Sequence, residues 1–250
     1  MLTDERQQLI LDALETNKIV KSKDLMLELE ASESTIRRDL QELEAQGLLK
    51  RVHGGAKRLA KVTDEPDMAE KATANLDAKK QVARYAASLV HEGDIIYLDA
   101  GTATYEMIPL LTHLKDVTVV TNSVYHASLL IQSGIPTLII GGTIKLKTRA
   151  TVDNFSLQHV ASLHFDKAFM GINSIHPEAG FTTPDPNEAL MKTAAINQSE
   201  RFYFLADETK FNQVSFAKVA ELDQGTVLTT ILPDNIKEIY QPLLSIQEVN

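Results

Sequence analysis

Cysteine is absent from this 250-residue chain, so it has neither a disulfide nor a thiolate nucleophile, as suits a reducing compartment. No apolar run approaches the roughly 20 residues that a membrane-spanning helix needs. The opening Met-Leu-Thr-Asp-Glu-Arg lacks a signal-peptide pattern. A cytoplasmic protein without membrane attachment is therefore expected. There is no internal repeat, no low-complexity segment and no Gly-x-Gly-x-x-Gly fingerprint, so no dinucleotide cofactor is expected. Positive charge is in deficit, with 25 Lys+Arg against 34 Asp+Glu and a formal net charge of −9. That balance argues against a protein that coats nucleic acid generally. What remains is an ordinary soluble composition, 44% hydrophobic and 24% charged, enough to fill the core of one large or two modest domains.

The deficit is unevenly spread. Residues 1–61 carry 11 basic and 11 acidic side chains, leaving 14 against 23 for the rest. Between Ala45 and Lys61 five basic residues (Lys50, Arg51, Lys57, Arg58, Lys61) stand without an acidic one. A basic stripe on an acidic protein is the footprint of a DNA-binding module joined to a second domain.

The stretch Ser32-Glu-Ser-Thr-Ile-Arg-Arg-Asp-Leu40 organises that module. Ser32 is a suitable N-cap and Glu33 suits the first turn. Ile36, Leu40 and Leu43 fall at i, i+4 and i+7 and face a core. Ser34, Thr35, Arg37, Arg38 and Gln41 remain on the other faces, and Gly47 supplies the stop. Hydroxyls and backbone N–H groups at such a terminus hold phosphates, and arginine reaches guanine N7 and O6. Taken alone, the stretch reads equally as a surface helix with solvated charges, Arg38 and Asp39 pairing with each other. Two helices precede it. Thr3 is the expected cap of the first, through about Thr16, with Leu9, Ile10, Ala13 and Leu14 buried. Ser22 is the expected cap of the second, which carries Leu25, Met26 and Leu29. Three short helices in this order predict a helix-turn-helix. Leu48–Ala56 then changes period, and Gly54-Gly55 permits a tight reversal. It reads as a β-wing whose Lys50, Arg51 and His53 grip the phosphate backbone. His53 is equally an ordinary exposed wing residue, and standing alone it implies no metal.

Thr35-Ile-Arg-Arg-Asp-Leu40, Arg6 and Arg51-Val-His-Gly-Gly-Ala56 together resemble the DeoR family of bacterial transcription regulators. The resemblance implies a winged helix-turn-helix over residues 1–60, with Ser34, Thr35, Arg37 and Arg38 on the recognition helix.

Residues 61–77 are polar, contain Pro66 and show little periodicity, so they read as a linker. An amphipathic helix is expected from Ala78 to His91. Apolar runs then alternate with helical stretches. The runs are Ile95–Asp99, Val117–Thr121, Thr137–Gly141, Ala168–Ile172, Tyr203–Ala206 and Thr226–Ile231. The helices are Thr104–Leu111, Val124–Gln132, Phe155–Leu163, Pro186–Gln198 and Asp234–Ile239. The alternation predicts an α/β domain over 78–250, a mostly parallel sheet with helices on both faces.

Ligands in such sheets bind beyond the carboxyl ends of the strands. The turn Asp99-Ala-Gly-Thr-Ala-Thr104 follows the first strand. There Gly101 allows close backbone approach, and the hydroxyls of Thr102 and Thr104 with helix N–H groups can cradle a phosphate. The same turn is also what a well-capped connection looks like. Thr121-Asn122, Gly141-Gly142, Gly171 with Asn173, and Asp207 with Lys210 lie at other strand ends, and Lys145, Lys147 and Arg149 add cationic charge in one loop. Glu188 and Lys192 are either site residues or an i,i+4 ion pair, and Asp207 either a site residue or a turn cap.

Asp99-Ala-Gly-Thr, Thr121-Asn-Ser, Gly141-Gly142, Asp166-Lys-Ala-Phe-Met-Gly171, Gly180-Phe-Thr-Thr183 and Asp207-Glu-Thr-Lys210 resemble the effector domain of the same family. That implies a sugar-phosphate isomerase-like fold that keeps a ligand pocket without turnover. Tyr97-Leu-Asp-Ala-Gly, His176–Pro186 and the wing most resemble the branch acting on fructose operons, which implies fructose 1-phosphate as effector. Asp153 departs from the family, which more often has glycine there. The expectation is a repressor that binds operator DNA as a homo-oligomer and is released by a phosphorylated sugar, with no cofactor and no metal-ligating residues assigned. The alternative is an aldose–ketose isomerase using Glu188 or Asp99 as base. Against it, the isomerases this domain resembles carry an acidic pair where this chain has Gly171-Ile-Asn-Ser174.

Overall fold

The computed structural model describes residues 1–59 and 61–249. Ala60, the expected end of the first domain, and Asn250 lie outside the described residues. The chain divides into two compact units, Met1–Lys61 and Val62–Asn250.

In the first unit α1 (Thr3–Asn17), β1 (Ile19–Lys21), α2 (Ser22–Glu28) and α3 (Glu33–Ala45) precede the hairpin β2 (Leu49–Val52) and β3 (Gly55–Arg58). Ser32 caps α3, its hydroxyl accepting from Thr35 N–H at 3.2 Å. Thr3 and Ser22, by contrast, are already helical, so neither is a cap. Ile10 and Leu14 of α1, Leu25 of α2, and Ile36, Leu40 and Leu43 of α3 meet in one core with Val20, Leu49 and Ala56. Leu9, expected inside, is exposed.

The hairpin is completed by β1, in the order β1-β3-β2. Sequence reading omitted β1, because three residues are too few to display a period. Gly55 is required here, since a Cβ would stand 2.0 Å from the Val20 carbonyl oxygen. Asp39 is buried, and Arg6 of α1 grips it in a fork, Nε to Oδ2 at 2.6 Å and Nη2 to Oδ1 at 3.0 Å. The Arg38–Asp39 pairing is thus corrected, with Arg38 Nε instead donating to Glu42 at 2.9 Å.

The second unit begins with α4 (Met68–Thr73) and α5 (Leu76–Ser88). The segment 61–77 is therefore no bare linker: it holds a helix, and Glu65 and Met68 are buried. Asp67 caps α4 by accepting from Glu70 N–H at 2.8 Å.

The core sheet comprises β4 (Ile95–Leu98), β5 (Thr118–Thr121), β6 (Thr137–Ile139), β9 (Phe165–Gly171), β12 (Ser199–Leu205), β14 (Thr226–Thr230) and β15 (Ser245–Val249). Between these lie α6 (Thr102–Tyr105), α7 (Val124–Gln132), the hairpin β7 (Ile144–Lys145) and β8 (Ala150–Thr151), α8 (Asn154–Ala161) and α9 (Pro186–Asn197). A small antiparallel sheet of β10 (Ser174–His176), β11 (Gly180–Thr183) and β13 (Ala217–Ala220), together with α10 (Asp234–Tyr240), completes the unit. The order β15-β14-β12-β9-β4-β5-β6 is parallel throughout.

Successive residues of a strand face opposite layers. Leu98, Phe169 and Leu205 pack with Val82 and Ala86 of α5. Tyr97, Ala168 and Phe204 pack with Val160 of α8 and Ala189 and Ala195 of α9. Both faces are covered, as a parallel sheet requires. The winding reverses between β4 and β9, which sets a crevice at their carboxyl ends. Asp153, at the position where glycine is more common, has extended backbone and caps α8 through Ser156 N–H at 2.8 Å.

Asp39→Ala strands the Arg6 guanidinium in the first core. It is expected to cost about 3–5 kcal/mol, read as a lower urea midpoint for the helix-turn-helix transition. A change below about 1 kcal/mol, the worth of a surface pair, would show that the fork is dispensable.

Candidate functional site

On the first unit, Ser32, Ser34, Arg37 and Arg38 are exposed and Thr35 is half-buried at the start of α3. The Ser32 hydroxyl lies 2.9 Å from that of Ser34 and 2.8 Å from that of Thr35. With Ile36, Asp39, Leu40 and Leu43 turned inward, the outward face is left to Ser34, Arg37, Arg38 and Gln41. Arg38 is 81% exposed in its Glu42 pair, a contact too weak to hold it from a phosphate. In the wing, Lys50 and His53 are exposed and Arg51 is partly covered. Its backbone N–H donates to Glu44 at 2.9 Å, while its guanidinium stands 3.9 Å from the same carboxylate.

The second unit contains a cleft of about 300 Å³ at the β4/β9 crossover. Of the expected effector residues, Asp99, Gly101, Thr102, Asn122, Gly171, Asn173, Glu188, Lys192, Asp207 and Lys210 line it. Asp99 is its centre. Oδ1 accepts from Gly101 N–H at 3.0 Å, Gly171 N–H at 3.1 Å and the Thr104 hydroxyl at 3.2 Å. Oδ2 accepts from Lys192 Nζ. A Cβ on Gly101 would stand 2.9 Å from Asp99 Oδ1, so the turn closes around the carboxylate only with glycine there. Lys192 is therefore paired with Asp99, and Glu188 accepts instead from Thr148 at 2.7 Å and Lys145 at 3.2 Å. That excludes the simple helix pair between them. Asp207 faces the cleft and also caps the next turn, accepting from Thr209 N–H at 3.0 Å. Its burial raises its pKa, but hydrogen bonding from Thr209 and the nearby Lys210 charge bring it below the ordinary carboxylate value.

Four expected residues do not line the cleft. Thr104 is fully buried beneath the turn. Thr121 is spent locally, its hydroxyl accepting from Ser123 N–H at 3.1 Å. Arg149 is exposed, with its guanidinium 5.2 Å from the Tyr125 ring centre. Lys145 is engaged by Glu65 at 2.6 Å, Asp185 at 2.8 Å and Glu188 at 3.2 Å.

Sequence reading missed Lys71, Asn75, Lys79 and Thr148, which do line the cleft. Lys71 and Lys79 sit among solvated-looking charges, and no local pattern separates them. Lys79 Nζ donates to the carbonyls of Lys71 and Ala74, the latter at 2.6 Å. Burial lowers the pKa of both ammoniums, and Lys210 lowers each further. The cleft wall thus sets four lysines, Lys71, Lys79, Lys192 and Lys210, among four carboxylates, Glu70, Asp99, Glu188 and Asp207.

Behind the turn His126 is fully buried, Nε2 lying 3.1 Å from the Thr104 hydroxyl and Nδ1 2.8 Å from that of Ser123. Burial pushes its pKa down from 6.5 to about 4. Among the described residues no group of three or more His, Cys, Asp or Glu could hold a metal.

The family profile described as DeoR-like helix-turn-helix domain matches residues 6–62, and that described as DeoR C terminal sensor domain matches 74–230. The chain is 48% identical over 241 residues to an uncharacterized HTH-type transcriptional regulator, FruR, of Bacillus subtilis (strain 168), covering 96% of each chain. It is 34% identical to the lactose phosphotransferase system repressor of Lactococcus lactis subsp. lactis, covering 94% of this chain and 95% of that one. Among solved structures, ribose 5 phosphate isomerase A from Neisseria gonorrhoeae aligns with 55% of this chain and 53% of its own, at 21% identity and a TM-score of 0.40.

The unfolded chain takes up a proton at His126 below pH 6.5, which the folded chain refuses until about pH 4. The stability from keeping it neutral is present above pH 6.5 and is lost as pH falls toward 4, a change on the order of 3 kcal/mol. His126→Gln is expected to flatten the urea midpoint between pH 6.5 and 4.5. A slope equal to that of the parent would place the acid sensitivity elsewhere.

Proposed function

Because the chain belongs to the DeoR family of transcriptional regulators, we propose that it represses a sugar-utilisation operon, that of fructose, and that fructose 1-phosphate releases it from its operator. It is a regulator and not an enzyme. In keeping with that, both candidate bases of an isomerase are engaged by lysines, Asp99 by Lys192 and Glu188 by Lys145.

The observation that carries the effector reading is the set of lysines in the cleft at the crossover, where Lys71, Lys79 and Lys210 line the same space as the Gly101-Thr102 turn. An anion entering there gives the Lys71 and Lys79 ammoniums, which burial keeps from water, a charged partner. Thr102 offers a hydroxyl at the rim, and Asn122, Asn173 and Asp207 offer polar groups suited to sugar hydroxyls. The resemblance to the fructose-operon branch and the 48% identity to FruR favour fructose 1-phosphate among phosphorylated sugars, with no cofactor needed.

On DNA, the N-terminal turn of α3 enters the major groove. Ser32, Ser34 and Thr35 hold phosphates, Arg37 reads a base edge, and Arg38, Lys50, Arg51 and His53 add backbone contacts. Helix-turn-helix modules bind paired half-sites, so the acting form is a homo-oligomer, dimer or tetramer, in the cytoplasm. The effector works by binding one arrangement of that oligomer more tightly than the operator-bound one.

Arg37→Ala is expected to lower the ratio of operator to random-DNA affinity by about 1–3 kcal/mol, the worth of one bidentate base contact, without changing thermal stability. Fluorescence anisotropy at fixed salt reads both affinities, and an unchanged ratio assigns base reading to another residue. The same titration with a panel of sugar phosphates tests the effector, release by fructose 1-phosphate being expected. Thr102→Glu sets a carboxylate against the phosphate and is expected to abolish release while operator binding persists. A fully releasable Thr102→Glu protein would remove the turn from the site.

A further inference from the structure

Residues 62–67 follow the first unit directly in sequence and open the second. Every one of these residues is described, and only Glu65 is buried, at 6% exposure. One backbone bond holds the start of the segment, Phe216 N–H to the Val62 carbonyl at 3.0 Å. The Glu65 carboxylate is one of the groups that hold its middle. Oε2 accepts from Lys145 Nζ at 2.6 Å, whereas Oε1 is buried with no hydrogen-bond partner among the described residues and stands 3.5 Å from the Lys71 ammonium.

Lys145 cannot compensate Glu65 by itself. The same ammonium lies 2.8 Å from Asp185 and 3.2 Å from Glu188. Three carboxylates thus share one cation, and Lys71 supplies the second charge that keeps Glu65 tolerable in its buried place. Yet Lys71 also lines the cleft, as do Pro66, Glu70 and Glu188. The cleft wall and the clamp on segment 62–67 are therefore built from the same side chains.

We propose that Lys71 is the residue through which cleft occupancy is reported to the connecting segment: an anionic ligand in the cleft draws the Lys71 ammonium from Glu65, and segment 62–67 is released. The inference rests on the sugar-phosphate reading of the cleft, and it adds how binding there alters the chain that leads to the DNA-binding unit. A phosphate dianion is a better partner for Lys71 than Glu65, which offers it only an ion contact at 3.5 Å without hydrogen-bond geometry. Once Lys71 turns away, Oε1 is a buried bare oxygen, and exposing residues 62–67 to water is the way to solvate it.

The test uses the full-length chain and three measurements. Isothermal titration with fructose 1-phosphate, fructose 6-phosphate and inorganic phosphate reads binding. Hydrogen–deuterium exchange with and without the tightest of these reads the segment. Operator anisotropy reads the output. In the parent, ligand is expected to speed exchange in peptides covering 62–71. In Glu65→Gln, where Lys145 can still be bonded, exchange is already fast, ligand adds no further change, and affinity rises several-fold because Lys71 starts free. Lys71→Gln is expected to weaken binding about tenfold, the loss of one charge-assisted contact, while folding persists.

Ligand binding with unchanged or slowed exchange over 62–71 overturns the clamp and leaves the cleft assignment standing. So does a Glu65→Gln protein whose segment responds like that of the parent. If none of the three anions binds, both the effector reading and the clamp fall.

Discussion

A carboxylate placed out of water at the end of β4 must be satisfied from several directions, and the second unit is arranged around meeting that demand for Asp99. Two backbone N–H groups, from the turn at Gly101 and from the end of β9 at Gly171, converge on one of its oxygens with the Thr104 hydroxyl. Lys192 of α9 takes the other. These partners belong to separate elements, so one buried charge fixes the turn, the two strands on either side of the crossover and one helix relative to each other. The cost of leaving it unpaired far exceeds that of distorting any single loop. The crevice that the sheet topology opens between β4 and β9 acquires its shape from this one group.

The same satisfaction bears on function. Both oxygens of Asp99 have partners, and Glu188, the other candidate base, is held at one oxygen by Lys145 and Thr148. Lysines that would balance a substrate's charge are divided between those already paired, Lys192 and Lys145, and those whose protonation burial disfavours, Lys71 and Lys79.

In the first unit an ion pair does the analogous work. The Arg6–Asp39 fork ties α1 to α3 from inside, and Asp39, though preceded by two exposed helix positions, turns away from solvent. Its inward rotation sets the phase of α3, which determines that Arg37 and Ser34 are presented outward. The hairpin depends on an equally strict constraint, the closeness of Gly55 to the Val20 carbonyl, so the wing is positioned by β1, a strand too short to announce itself.

The sequence by itself determined the alternation of elements, the helix-turn-helix with its Ser32 cap and inward stripe of Ile36, Leu40 and Leu43, the parallel character of the large sheet, and the strand-end turns where the cleft lies. Those features are written in local periodicity, in capping chemistry and in glycine spacing, which neighbouring residues express without help. Tertiary structure alone decided which charges belong to which site. Lys145 and Arg149 looked like cleft cations. One is consumed by carboxylates 40 to 80 residues away in sequence, and the other lies exposed over Tyr125. Lys71 and Lys79 looked like solvated linker and helix charges, and they line the cleft. Residues 61–77 carried no period because their burial rests on two side chains, Glu65 and Met68, rather than on a face. A charged side chain's role depends on its partner, and partners are brought together by the fold, not by spacing along the chain.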